Sequence, residues 1–216
     1  VIEIDVESMT LPIDLIGDCF EQGCVAHAQH LAETLAPIRY QQGVSIMACP
    51  ETLEEWRAEH RTARKRADRC ERLGYRFSEV DYSQYADDMY HINTSMPMRQ
   101  GRPMADGYLE HRERGRLPEF PCHLHNTRTY GVLEAGRLVA YTTIHRSNEL
   151  AMVSMILGHG SHLRCDVMYL LFAGMIEDQS GNPGILYYNR HDSGTPGLVF
   201  YKERLGFREG DVAWSM

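Results

Sequence analysis

Apolar positions alternate in short runs through the last two fifths of the chain and follow helical spacing in most of what precedes. Thr129 to Leu133, Leu138 to Ile144 and Leu150 to Leu157 are three β-rich runs. Glu134-Ala135-Gly136 and Ser147-Asn148 separate them, residues suited to tight hairpin turns. A meander of three strands is expected there. Leu163, Val167, Leu170, Leu171, Phe172 and Ile176 then recur over a wide arc, which predicts a core helix lying across a sheet, with Ser161 as its N-cap. A short strand from Ile185 to Tyr188 and a helix carrying Leu198, Tyr201 and Leu205 on one face follow, and Gly206-Phe207 ends the pattern.

Upstream, Pro50 starts a helix expected over 51–73. Glu51, Glu54 and Glu55 fill its first turns and arginines its later ones, matching the helix dipole, and Gly74 supplies the stop. Tyr75 to Val80 reads as a strand, Tyr82 to Ser95 as a helix, and Met96 to Pro103 as a loop. Residues 1–49 carry weaker signals: a β-rich opening, then helical spacing with Leu31, Leu35 and Ile38 near one face. Strands followed by helix, strand and helix predict an α+β fold with a mostly antiparallel central sheet flanked by helices. Residues 1–49 are expected to form a helical extension packed on a domain spanning 50–216.

Composition narrows the partners. The net charge of −8 over 216 residues and a pI near 5.7 argue against coating nucleic acid through bulk electrostatics. No apolar run approaches the roughly 20 residues that span a bilayer, and the first residues lack the order of a signal peptide, so a cytoplasmic protein without membrane contact is expected. Lys65 and Lys202 are the only lysines. The arginine excess fits either a GC-rich genome or the gripping of phosphate and carboxylate by guanidinium forks. The six cysteines are expected as reduced thiols. Cys19 and Cys24 have no second close pair for a zinc knuckle. Strand alternation puts His123 and His125 on one face beside Cys122, without further ligands at recognisable spacing, and no metal is expected.

The closing segment Phe200-Tyr201-Lys202-Glu203-Arg204-Leu205-Gly206-Phe207, with the order of elements from about 128 to 207, resembles the GNAT acyltransferase superfamily. The resemblance implies transfer of an acyl group from acetyl-CoA or another acyl-CoA to a small-molecule or peptide amine. It places the donor's pyrophosphate at Leu157, Gly158, Gly160, Ser161, His162, Leu163 and Arg164. The family's Arg/Gln, Gly and Gly/Ala positions fall here on His162, Cys165 and Val167, with Asp166 between the last two. Arg61-Thr62-Ala63-Arg64-Lys65-Arg66, Gly74-Tyr75, Arg99-Gln100-Gly101 and the tail from Asn189 to Lys202 resemble, more loosely, the Fem-type aminoacyl-tRNA-dependent transferases. That likeness implies a donor carried on tRNA, and an acyl carrier protein is a further carrier left open.

Tyr201 stands where such enzymes place a general acid, with packing of the last helix as the competing role. Tyr188, Asn189, His191, Asp192, Ser193 and Thr195 form a polar cluster after the fifth core strand. His191 is the expected base, oriented by Asp192, and His159 is the second candidate; a hydrogen-bonded turn is the alternative. Arg99, Gln100 and Arg102 are expected to hold a substrate carboxylate. Arg61, Arg64, Lys65 and Arg72 lie near one face of the helix 57–72, which either binds a phosphate-rich donor or is simply solvated. A GNAT-like frame without catalysis, serving as a binding module, and self-association into a homodimer stay open.

Overall fold

The computed structural model describes residues 10–35, 40–113 and 115–215. Strand β1 (Thr10–Asp14), helix α1 (Gln22–Leu35) and strand β2 (Tyr40–Ala48) open it. Helices α2 (Leu53–Glu59) and α3 (Arg61–Arg72), strand β3 (Arg76–Glu79) and helix α4 (Ala86–Thr94) follow. A small hairpin of β4 (Met98–Arg99) and β5 (Arg102–Pro103) and the single turn α5 (Asp106–Leu109) complete the first half. The second half runs β6 (His125–Glu134), β7 (Arg137–Ser147), β8 (Leu150–Gly158), α6 (Val167–Gln179), β9 (Ile185–Arg190), α7 (Pro196–Leu205) and β10 (Arg208–Ser215).

Eight strands form one sheet in the order β1-β10-β2-β9-β8-β7-β6-β3. Among the described residues only β1 with β10 and β8 with β9 run parallel; every other neighbouring pair is antiparallel. This is the mixed, mostly antiparallel sheet the hydrophobic pattern predicted. The meander β6-β7-β8 falls where the alternating runs placed it. Its first turn puts Ala135 and Gly136 at φ 48° and 81°, the left-handed pair that a tight hairpin demands. A parallel pair needs a crossover, and α6 supplies it between β8 and β9. That helix is apolar on nearly all sides because it is covered on nearly all sides. Val167, Leu171, Phe172, Met175 and Ile176 are fully buried, each contributing about 1.5–3 kcal/mol for the larger side chains. On the opposite face of the sheet α4 packs Met89 and Ile92 against Leu138 and Tyr141.

Four expectations are corrected. The described part of residues 1–49 is not an appended helical extension: β2 lies inside the sheet between β10 and β9, and β1 forms its edge. Ile38 and the first nine residues lie outside the described residues. The helix over 51–73 is two helices, broken at His60 (φ −104°, ψ 54°). They break because they serve different partners. Trp56 of α2 donates its indole N–H to the Leu205 carbonyl at 2.8 Å, whereas α3 buries the small residues Ala63, Ala67 and Cys70, and it packs along α6. Met96 to Pro103 is not wholly loop, since Gln100 and Gly101 (φ 51° and 75°) close the β4-β5 hairpin. Finally, Ser161 does not cap α6. A 3-10 turn, Leu163–Cys165, intervenes, and Asp166 (φ 65°) is the cap residue.

Candidate active site

The parallel pairing of β8 with β9 covers three positions, Leu150 with Ile185, Ala151 with Leu186 and Met152 with Tyr187, and stops. Both strands continue, β8 to Gly158 and β9 to Arg190, so they part beyond Met152 and Tyr187. Irregularities in both strands explain the parting. On β8 the register against β7 slips at Ser154, which has no opposite number between Val153 and Met155. On β9 the register against β2 slips between Tyr187 and Arg190, where Asn189 takes φ 52° and its own Oδ1 accepts from the Arg190 N–H at 2.7 Å. A bulge bends its strand and strengthens the local twist, so bulges in two diverging neighbours hold them apart. Solvent reaches the gap: Ser154 is exposed and Met155 to Leu157 are half-buried, although β8 runs through the middle of the sheet.

The end of β9 is packed by α6, α7 and Phe207, just ahead of β10. Tyr188 packs on Phe172 and Phe207, and the Lys202 ammonium lies 4.8 Å from the centre of its ring. Lys202 is fully buried, and its Nζ donates to the Arg190 carbonyl at 2.6 Å. Burial lowers its pKa from 10.5 to about 8, against the opposing pull of Asp192. In the sequence this lysine entered only as the end of the tail that resembles the Fem-type transferases, with no role at the site. The signal was present, because Lys202 shares its helix face with Leu198 and Leu205, one turn away on either side, where a cation is unexpected.

Several expected roles do not survive the geometry. His191 and Asp192 are not a base and its orienting partner. The His191 Nδ1 lies 3.0 Å from Ser45 Oγ, with Nε2 3.9 Å from Glu203, while the Asp192 carboxylate turns to Arg190 at 3.2 Å. Neighbouring residues on a turn point apart, which separates the two. The Tyr201 hydroxyl donates to the Met168 carbonyl at 2.9 Å, and its ring packs on Tyr169 and Phe172. Burial raises its pKa well above 10, so it fits the packing role and holds its proton against the helix. Arg99 is not a free fork. It donates to the carbonyls of Gly158 (2.9 Å) and Ile92 (2.6 Å) and to Ser95 Oγ (3.0 Å), stapling the end of α4 to the end of β8. Arg102 is exposed on β5. His159 is half-buried with Nδ1 2.8 Å from Ser161 Oγ; burial and the nearby His162 and Arg99 lower its pKa.

Two expected clusters do meet. Thr195 Oγ1 donates to Gln100 Oε1 at 2.9 Å, which ties the β4-β5 hairpin to the turn before α7. Ser193 closes that turn by donating to the Arg190 carbonyl at 2.7 Å. Gly158 to His162, Gln100 and the turn 191–195 therefore follow directly on the two diverging strand ends and the hairpin tied to them.

Whether the tip of α6 suits a pyrophosphate is decided by its N–H groups. Those of residues 159, 160, 161, 162, 165 and 166 are already used, by Val139 O, Ser95 Oγ, His159 Nδ1, His159 O, His162 O and Leu163 O respectively. A Cβ on Gly158 would meet Met168 and Leu163, and one on Gly160 would meet Met96, so both glycines serve close packing. The buried Asp166 carboxylate occupies the helix tip and takes Arg66 (3.0 Å) and Arg69 (2.7 Å). A cradle needs free donors and positive potential. Six of the N–H groups between 159 and 166 are thus committed and a carboxylate stands at the helix tip, which sets this stretch apart from such a cradle.

On α3, Arg61, Lys65 and Arg72 are exposed, and Arg64 faces Asp68 at 4.0 Å. Arg66 lies 5.0 Å from the Tyr169 ring centre. A separate cleft of about 1090 Å³, lined in part by Trp56, His60, His191, Glu203 and Arg208, opens beside α7 and does not include Tyr188 or Lys202. Among the described residues no helix is long and apolar enough to cross a membrane.

No family model and no curated protein matches the chain. Among solved structures it is similar to the C-terminal DUF2156 domain of a putative lysylphosphatidylglycerol synthetase from Agrobacterium fabrum, at 12% identity and a TM-score of 0.49, covering 85% of this chain and 62% of that one. It is similar to L-PGS from Bacillus licheniformis at 14% identity and 0.46, covering 84% and 62%. A GCN5-related N-acetyltransferase from Kribbella flavida matches at 13% and 0.39, covering 64% and 48%. The chain thus spans less than two thirds of each of these structures, and identities this low concern chain path alone. Its own topology, three antiparallel strands, a crossover helix, a parallel strand that splays from the third and a closing helix, is the mixed α+β order expected from the sequence.

Proposed function

We propose that the chain is an N-acyltransferase working in the opening between β8 and β9, with a donor whose carrier is not held by pyrophosphate at α6. The observation that carries this reading is the parting of two parallel strands in mid-sheet, which leaves the backbone edges of 153–157 and 188–189 to an extended substrate. An amine attacks the carbonyl carbon of an ester or thioester; the C–N bond forms as the C–O or C–S bond breaks. The leaving oxygen or sulfur takes a proton and the nitrogen gives one up. In this reading the Lys202 ammonium, released from the Arg190 carbonyl, stabilises the oxygen as it becomes negative, and a pKa of about 8 suits it to proton transfer near neutrality. The six committed N–H groups before α6 and the Asp166 carboxylate at its tip favour an aminoacyl-tRNA over an acyl-CoA, with the exposed Arg61, Lys65 and Arg72 of α3 as phosphate contacts.

Calorimetric titration with CoA and acetyl-CoA is expected to show no saturable binding up to about millimolar ligand, against the micromolar to millimolar range usual for substrates. Radiolabelled aminoacyl-tRNA is expected to lose its label to an added amine, and neutralising Arg61, Lys65 and Arg72 together should weaken tRNA binding and flatten its salt dependence. Saturable micromolar CoA binding would overturn the choice of donor. Absence of transfer from aminoacyl-tRNAs, acyl carrier proteins and acyl-CoAs alike would overturn the transferase reading itself.

A further inference from the structure

We propose that Cys19, Cys24, Cys122 and His125 together bind one zinc ion, as a closed structural site. The three sulfurs and one ring nitrogen all lie within 4.8 Å of one another. Cys24 Sγ is 3.4 Å from Cys122 Sγ, and Cys122 Sγ is 3.2 Å from His125 Nδ1. Tetrahedral zinc with bonds of about 2.3 Å to sulfur and 2.0–2.1 Å to nitrogen sets its ligand atoms about 3.5–3.8 Å apart. The two short separations need a few tenths of an ångström of adjustment, and no separation needs more than about 1 Å. A disulfide would need its sulfurs at about 2.05 Å.

The surroundings prepare the ligands. His125 Nε2 lies 3.1 Å from the Leu15 carbonyl, so that nitrogen donates and Nδ1 keeps its lone pair toward the thiols. A metal-bound histidine is held this way by a carbonyl on its far nitrogen. Ser147 Oγ donates to the same carbonyl at 2.6 Å, which fixes the acceptor. Cys24 sits in the first turn of α1, whose N-terminal partial charge favours the net negative charge of zinc with three thiolates. Cys19, Cys24 and His125 are buried. Three thiolates and an imidazole select a borderline-soft ion over magnesium or calcium, and four protein ligands leave no position for substrate.

The site joins stretches far apart in sequence: the segment between β1 and α1, the start of α1, and the residues leading into β6. The pattern in the chain is C-x4-C followed much later by C-x2-H, with Cys122 paired to His125. His123, which strand alternation had placed beside His125, is exposed and outside the group.

Metal analysis of protein purified in zinc-containing buffer is expected to give about one zinc per chain. Chelator should remove it with a fall in Tm of about 10 °C, restored by zinc. Cys24→Ser and Cys122→Ser should each retain less than about a tenth of the zinc, while Cys165→Ser, outside the group, keeps it all. Because those variants risk misfolding, cobalt exchange into the wild-type protein provides the second arm: tetrahedral ligand-field bands with thiolate charge transfer are expected. Reduced wild-type protein that takes up no zinc, a Cys24–Cys122 disulfide that accounts for both thiols, or a cobalt spectrum without thiolate character would each overturn the proposal.

Discussion

Lys202→Met is expected to lower turnover about 10²–10³-fold while leaving the fold intact. The substitution keeps the length and apolar stem of a side chain that is fully buried, and removes only the ammonium that faces Arg190 O and the Tyr188 ring. Its pKa, lowered to about 8, fixes the direction of the pH response. The protonated form is the one that stabilises an oxyanion, so wild-type turnover should decline as pH rises through about 8. The variant's residual activity should lack that decline. Stability moves the other way. Above about 10.5 the lysine is neutral in both states and its burial costs nothing; below about 8 it is charged in both, and the full penalty of burying the charge is present. Loss of activity without loss of Tm near neutral pH therefore separates a chemical role from a structural one. Turnover within threefold of wild type would remove Lys202 from the mechanism.

Gly184→Ala is expected to destabilise the protein by about 4 kcal/mol, lowering Tm by roughly 10–15 °C. Gly184 has φ 97°, and a Cβ there would lie 1.9 Å from the Glu149 carbonyl oxygen and 2.4 Å from its carbon. Those are backbone atoms, so no side chain can swing away. Nor can Gly184 itself retreat: Ile185 N–H donates to the Glu149 carbonyl at 2.8 Å, and the Gly184 carbonyl accepts from Cys49 N–H at 3.0 Å. The glycine sets where β9 begins against β8, and through that register where the two strands part. Thermal denaturation checks the magnitude, and a Tm within about 3 °C of wild type would show that the backbone there is freer than the contacts imply.

How much of this was legible beforehand follows the range of the interactions involved. The meander was readable because its turns are local: Ala135-Gly136 must adopt a left-handed pair wherever it stands. The core helix was readable from the arc of Val167, Leu171 and Ile176. Its start was not, because whether Ser161 or Asp166 caps it depends on Arg66 and Arg69, nearly a hundred positions upstream. The polar cluster from Tyr188 to Thr195 was legible as a group that follows a strand, yet its internal pairing was misjudged. Adjacency in sequence joined His191 to Asp192, whereas the turn sends one to Ser45 and the other to Arg190. The cysteines failed for the same reason in reverse: Cys24 and Cys122 meet at 3.4 Å from 98 positions apart.

Hydrophobic periodicity and turn chemistry by themselves determined the α+β class, the three central strands, the buried helix and the closing helix, since each of these is specified within a window of about ten to twenty residues. Tertiary structure alone decided that β2 and β10 enter the sheet, that β8 and β9 part after three pairs, that six N–H groups between 159 and 166 are spoken for, and that a lysine lies buried against the end of β9. Those outcomes depend on which backbone groups find partners across the sheet, and hydrogen-bond partners between distant strands leave no local trace in the order of the residues.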